Sequence, residues 1–151
     1  HVTQRKQMIR TILYRLFRLG AIPRKMLPVL QQEGIEVADE GMGGWFITRR
    51  VKGPGKRYRH RAEGFSGCLV ITRKRVFCTT FWKRQMNIGA DDPRMAELVC
   101  DAPDARTLSL AFESSVFRLG WEGVIEFRFK TDKALQFCDA LRSIGARQAS
   151  G

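Results

Sequence analysis

The segment Ile47–Arg61, ITRRVKGPGKRYRHR, holds seven lysines and arginines and no acid. It breaks at Gly53-Pro54-Gly55, and the flanks on either side read as the two strands of a hairpin. Side-chain alternation suggests the register. A four-residue loop, Gly53 to Lys56, sets Lys52 opposite Arg57, Arg50 opposite Arg59 and Thr48 opposite Arg61. That gathers Arg50, Lys52, Arg57, Arg59 and Arg61 on one face. Trp45, Ile47, Val51, Tyr58 and Ala62 fall on the other, with Arg49 and His60. Like charges set directly opposite one another destabilise a sheet. The face therefore calls for an external anion, salt, or acids from elsewhere in the chain, with Asp91, Asp92, Glu97, Asp101 and Asp104 as candidates. Pointing outward, it suits a broad anionic surface better than a single head group. The competing reading is a solvated edge whose charges block aggregation.

Working outward, further strands are expected at Gly44–Lys52, Arg57–Glu63, Gly67–Thr72 and Arg75–Trp82, the last two around the polar turn Arg73-Lys74. Short strands follow at Gln85–Ile88 and Leu98–Cys100, then alternating ones at Thr107–Phe112 and Val124–Lys130. In the latter, Ile125, Phe127 and Phe129 face one way and Glu126, Arg128 and Lys130 the other. Helices flank this β region. Ile9, Ile12, Leu13, Leu16 and Phe17 form one stripe over residues 3–19. Pro23 opens a second helix over about 23–33. Ala134, Leu135, Phe137, Cys138, Leu141 and Ile144 form the stripe of a closing helix over 131–144, with Thr131 as its N-cap. Glu36–Gly44, acidic and then glycine-rich, reads as a linker. The expected class is α+β, mainly β: a seven-stranded antiparallel bent sheet or partly open barrel, capped by the C-terminal helix. Residues 1–43 form a helical extension, 44–145 the β domain and 146–151 a tail.

The chain has 151 residues and a net charge of +12, very unevenly placed. Residues 1–90 hold 19 Lys/Arg against 5 Asp/Glu, and residues 91–151 hold 8 against 10. Such a bias points to an anionic partner. A solubilising surface is the plainer alternative. The chain opens on His1 rather than Met, which leaves a removed leader open. Cys68, Cys78, Cys100 and Cys138 lie among apolar residues with no C-x-x-C spacing, and His1 and His60 are the only histidines. A metal site is therefore not expected. Reduced thiols and a cytoplasmic location, with peripheral association at a membrane, fit that pattern. Cys68 and Cys78 sit where cross-strand neighbours could form a disulfide.

The segment Gly67–Phe77, GCLVITRKRVF, resembles the GRAM and bacterial pleckstrin-homology-like pattern, in which an apolar strand ends in Thr, turns, and resumes at Arg plus apolar residues. Phe127-Arg128-Phe129 leading into Lys133–Phe137 is similar. The resemblance covers roughly residues 44–145. The closing helix lacks the Trp usual in eukaryotic members, with Phe137 in its place, which favours the GRAM-like and bacterial branches. What the resemblance implies is a seven-stranded barrel closed by one helix. It also assigns phosphate contacts to Lys52, Arg57 and Arg59, after a pattern of Lys in the first strand and K/R-x-R in the second. Guanidinium groups suit that task because they donate two parallel hydrogen bonds to a phosphate.

The expected anion-binding set is thus Arg50, Lys52, Lys56, Arg57, Arg59 and Arg61, with Arg73, Lys74, Lys83 and Arg84 as a secondary basic set. Phe81-Trp82-Lys83-Arg84 places aromatics beside cations, as in base stacking or a membrane interface. Catalytic patterns are missing from the sequence. Gly53-Pro54-Gly55-Lys56 lacks the earlier glycine and the hydroxyl residue of a phosphate loop, and His60 is the only internal candidate base. A non-enzymatic binding module without a cofactor is expected, docking on an anionic lipid surface or an acidic protein. A nucleic-acid-binding module using the same face and a structural or oligomerising module are the alternatives.

Overall fold

The computed structural model describes residues 20–81 and 83–149, and for Lys56 and Tyr58 the backbone alone. Its element order is α1 (Leu27–Glu33), β1 (Ile35–Gly53), β2 (Lys56–Thr72), β3 (Arg75–Thr80), β4 (Lys83–Gly89), β5 (Val99–Asp104), β6 (Thr107–Glu113), β7 (Glu122–Lys130), α2 (Ala134–Ser143) and β8 (Arg147–Gln148). The strands form one curled half-barrel sheet in the order β4-β3-β2-β1-β7-β6-β5-β8. Two antiparallel meanders, β1–β4 and β5–β7, are joined where β1 pairs with β7.

The mainly-β class and the closing helix are as expected; several details differ. Arg57–Glu63 and Gly67–Thr72 are one strand, β2, because Gly64 continues the ladder opposite Trp45. The sheet has eight strands rather than seven. The extra one lies within the supposed tail, where Arg147 and Gln148 pair in parallel with Val99 and Cys100. The second expected helix is seven residues long, starting at Leu27. The helix expected over 3–19 lies outside the described residues, as does Trp82. The closing helix begins at Ala134, later than expected. Thr131 still acts at its entrance, where its hydroxyl accepts from Lys133 N at 3.1 Å and donates to Asp39 at 2.9 Å.

The supposed linker Glu36–Gly44 is the first half of β1. Its glycines serve the curl of the sheet. A Cβ on Gly44 would lie 2.3 Å from the Arg128 carbonyl oxygen and 2.7 Å from the Phe65 ring. Phe65, paired across the ladder with Gly44, occupies the room that the missing side chain leaves. Its acids are also engaged: Glu40 accepts from Ile22 N at 2.8 Å.

The inner face of the sheet and α2 share the main core. Phe127, Phe129, Leu108, Leu110, Leu69 and Ile71 meet Ala134, Phe137 and Leu141 there, all essentially buried. Phe137 is wholly buried, whereas Leu135 is 60% exposed and falls off the stripe. A second, smaller cluster lies on the outer face, where Leu30 of α1 packs with Cys68, Val70 and Phe77. Glu33 pins this helix: Thr72 donates to it at 3.0 Å and Arg75 through two guanidinium nitrogens at 2.7 and 2.5 Å. The Arg75 hydrogen bonds hold the Glu33 carboxyl below its ordinary range against the opposing effect of burial.

Cys68 and Cys78 do not form a cross-strand pair. The register sets Cys68 opposite Thr79 and Leu69 opposite Cys78. That one-residue offset sends the two thiols to opposite faces, Cys68 to the outer cluster and Cys78 to the main core. All four cysteines are free and buried.

Candidate anion-binding site

The basic hairpin is the distal half of β1 and the proximal half of β2. The inner strand is held on both sides, since β1 pairs with β7 from Gly44–Phe129 to Lys52–Glu122. The outer strand is held on one side only, because β2 pairs with β3 only from Gly67 onward. Among the described residues the Lys56–Gly64 portion of β2 is therefore an unpaired edge, and every side chain described there is exposed. The expected register is present: Lys52 opposite Arg57 and Thr48 opposite Arg61. The loop is tighter than expected, because Gly53 pairs with Lys56 and only Pro54 and Gly55 turn the chain. Proline followed by a glycine at φ 72° is the type II arrangement, which a side chain at the second position would strain.

Arg50 interrupts the regular strand. Its φ is 53°, and β1 bulges against β7 between Arg49 and Lys52. Gly123 makes room for the bulge, since a Cβ there would lie 2.5 Å from the Arg50 carbonyl oxygen. The consequence is a change of phase. Thr48 and Val51, three residues apart, both line the interior of the half-barrel.

Arg50, Lys52, Arg57 and Arg59 are exposed, and among the described residues none makes an ion pair. Arg61 pairs with Glu63 at 2.6 Å, both about half exposed. The acids expected to compensate the hairpin are committed elsewhere or make no ion pair with it. Asp92 holds Arg94 at 2.6 Å, Glu97 faces Arg147 at 3.8 Å, and Asp104 accepts from Arg106 N and Thr107. Arg61 and Thr48 both line the interior cavity, so at that pair the cationic face begins on the inner side of the sheet. Of Lys56, the position at the start of β2 is what the structure fixes.

The secondary set splits. Lys83 and Arg84 open β4 beside the mouth. Arg73 and Lys74 occupy the β2–β3 turn at the opposite end of β2, where Arg73 pairs with Glu36 at 3.0 Å.

Between β1, β2, the β3–β4 turn and the β6–β7 connection lies a cavity of about 630 Å³. Phe46, Phe65, Phe112, Phe117 and Phe127 wall it, with ring centroids 4.8 to 6.3 Å apart in successive contacts. Arg61, Lys83 and Arg118 stand among its lining. Trp121 lies against Gly53, where a Cβ would come 2.3 Å from the indole, and Arg118 lies 5.6 Å from the indole centroid. This ties the β6–β7 connection to the hairpin. Leu119, at the tip of that connection, is 99% exposed. Sequence reasoning missed Ser114, Phe117, Arg118 and Trp121. The signal available was two aromatics and an arginine crowded into a glycine-bearing connection.

The outer face of the same strands carries a different arrangement. Glu126, 4% exposed, accepts from Ser109 at 2.7 Å and Arg128 at 2.9 Å and pairs with Arg49 at 2.7 Å. Burial pushes its carboxyl up, but the hydrogen bonds from Ser109, Arg49 and Arg128 outweigh that and hold it below its usual range.

No protein-family model and no curated protein matches this chain. Among the described residues, no cluster of His, Cys, Asp and Glu could hold a metal ion, and no helix is long and apolar enough to cross a membrane.

Proposed function

We propose that this chain is a non-catalytic binding module, related to the pleckstrin-homology-like and GRAM domains, that docks on an anionic lipid surface with the open end of its half-barrel. Seven antiparallel strands in two meanders and a closing helix support the kinship. One observation carries the docking reading. Four cations that make no ion pair among the described residues, Arg50, Lys52, Arg57 and Arg59, stand at the same end as the wholly exposed Leu119, the two tied together by Trp121 on Gly53. Cations that meet lipid phosphates beside an apolar side chain that enters the acyl boundary are what peripheral attachment needs. A nucleic acid or an acidic protein would use the cations and leave Leu119 in water.

Each lysine or arginine near an anionic bilayer contributes about 1 kcal/mol, screened within a Debye length. Inverting two of them, Arg57→Glu/Arg59→Glu, removes two attractions and adds two repulsions, so partitioning falls at least about a hundredfold. Flotation with phosphatidylserine-containing and pure phosphatidylcholine vesicles, at low and physiological salt, tests this. The wild type floats with the former only, less at higher salt; Leu119→Ser weakens binding without changing the salt slope. Equal flotation of wild type and the double variant refutes the reading. Retention on RNA or duplex DNA with no vesicle binding replaces it with the nucleic-acid alternative.

A further inference from the structure

The aromatic cavity has a polarity that the ladder register makes explicit. Arg61, Thr48, Ile125 and Phe112 lie side by side across β2, β1, β7 and β6. The next inward-facing row is Glu63, Phe46, Phe127 and Leu110. Phe65 and Phe129 belong to the row after that, toward the core that α2 closes. Polar groups therefore concentrate near the mouth, and aromatic rings form the floor.

Most of the polar lining has a partner. Gln85 donates to Thr80 at 2.8 Å, Arg61 pairs with Glu63, and Arg118 lies over Trp121. Thr48 and Ser114 also belong to the lining, but their hydroxyl oxygens are buried in the wall, without a hydrogen-bond partner among the described residues. The exposed cations Lys83 and Arg118 belong to the same lining, giving a positive rim to an aromatic cavity. Its volume lies within the ~300–1,000 Å³ of small-molecule pockets.

We infer that this cavity binds a single-chain amphiphile with an anionic head. The acyl chain lies among Phe46, Phe65 and Phe127, and the carboxylate or phosphate oxygens face Lys83 and Arg118. A neutral head leaves the two cations without a counter-charge, and a cationic one is repelled.

The test is a vesicle-free titration of the full chain with the fluorescent fatty acid cis-parinarate. Laurate, lauroyl lysophosphatidate and dodecanol then compete for the site. Saturable binding at one probe per chain is expected. Displacement by laurate identifies a carboxylate head, displacement by lysophosphatidate a phosphate head, and dodecanol competes at least about tenfold more weakly. Thr48→Phe fills the space and abolishes binding. Lys83→Glu/Arg118→Glu, at the rim, keeps the fold in circular dichroism and weakens the acids at least about tenfold while leaving dodecanol unchanged. Absence of saturable binding, or equal affinities for acid and alcohol that the rim variant does not alter, overturns the inference. Because no vesicles are present, a failure here is separate from a failure of flotation.

Discussion

Glu126 offers a sharp test of the energetics because its partners differ from it in exposure. The carboxylate side chain is 5% exposed, whereas the Arg49 and Arg128 side chains are each 41% exposed. Removing the acid's charge lets both guanidinium groups turn to water. Removing the two arginines strands a buried carboxylate with Ser109 alone. Glu126→Gln should therefore cost about 2 kcal/mol, the loss of charge-assisted hydrogen bonds to partners that resolvate. Arg49→Ala/Arg128→Ala should cost about 3–5 kcal/mol, the range for isolating a buried charge. In that double background Glu126→Gln should change sign and stabilise the fold by about 2 kcal/mol, since it removes the stranded charge. Urea denaturation followed by circular dichroism at pH 7 measures all four proteins, with Tm moving about 2–4 °C per kcal/mol at this chain length. A pH series adds an independent check. The Glu126 carboxyl is depressed in the folded state, so its contribution is complete above the unfolded value of about 4.3 and is lost as pH falls through the folded one. Glu126→Gln should thus flatten the acid limb of the stability curve. If Glu126→Gln costs the same in both backgrounds to within about 0.5 kcal/mol, the network is not the coupled unit described.

Two other outcomes follow from the geometry. Gly44→Ala, whose Cβ would meet the Arg128 carbonyl and the Phe65 ring, should cost about 3 kcal/mol or more in denaturant midpoint, whereas Gly55→Ala, with open space around it and only a positive φ to violate, should cost about 1 kcal/mol. All four thiols are buried, and burial raises Cys78 well above its ordinary range and Cys68 as well, so exclusion of the reagent should make the native chain resist a chromogenic disulfide reagent even at Cys100, whose thiol is lowered by its hydrogen bond with Cys138, while all four thiols should react at once in guanidinium chloride.

The hairpin register was legible because charge and apolar residues separate cleanly at Lys52–Arg57 and Thr48–Arg61, and separation of that kind fixes pairing. The closing helix was legible from Phe137, Cys138 and Leu141. Three features were not. Glu36–Gly44 combines acids with glycines, and the composition of a linker is also that of a strand whose glycines admit a facing ring. The bulge at Arg50 is invisible because its cause lies on β7, at Gly123, some seventy positions away. It is that bulge, with the β6–β7 connection, that builds the cavity, so the site missed in the sequence is the one made by long-range contacts. The compensating acids failed for a related reason. Charge counts identify which residues are acidic, but Asp92 and Asp104 are spent on neighbouring backbone amides within two residues of themselves.

The two faces of β1 bear on the choice between a solvated hairpin and a functional one. On the outer face Arg49 meets a buried acid, so a cation on this strand can be neutralised within the sheet. At the hairpin end Lys52 stands between Arg57 on β2 and Glu122 on β7, and among the described residues neither Lys52 nor Arg50, Arg57 or Arg59 makes an ion pair. Each like-charge pair costs up to about 1 kcal/mol. Edge protection alone needs one or two charges, and it gives no reason for the mouth of an aromatic cavity to carry Lys83 and Arg118, or for Leu119 to stand fully in water beside them. The proposed anionic lipid surface would engage the cations and the exposed leucine together, and the proposed amphiphile would bring a counter-charge to Lys83 and Arg118. Raising salt discriminates without any substitution. If the hairpin is only solvated, screening relieves its repulsion and stabilises the chain with nothing lost. If it docks, the same salt that stabilises the free chain releases it from the vesicle.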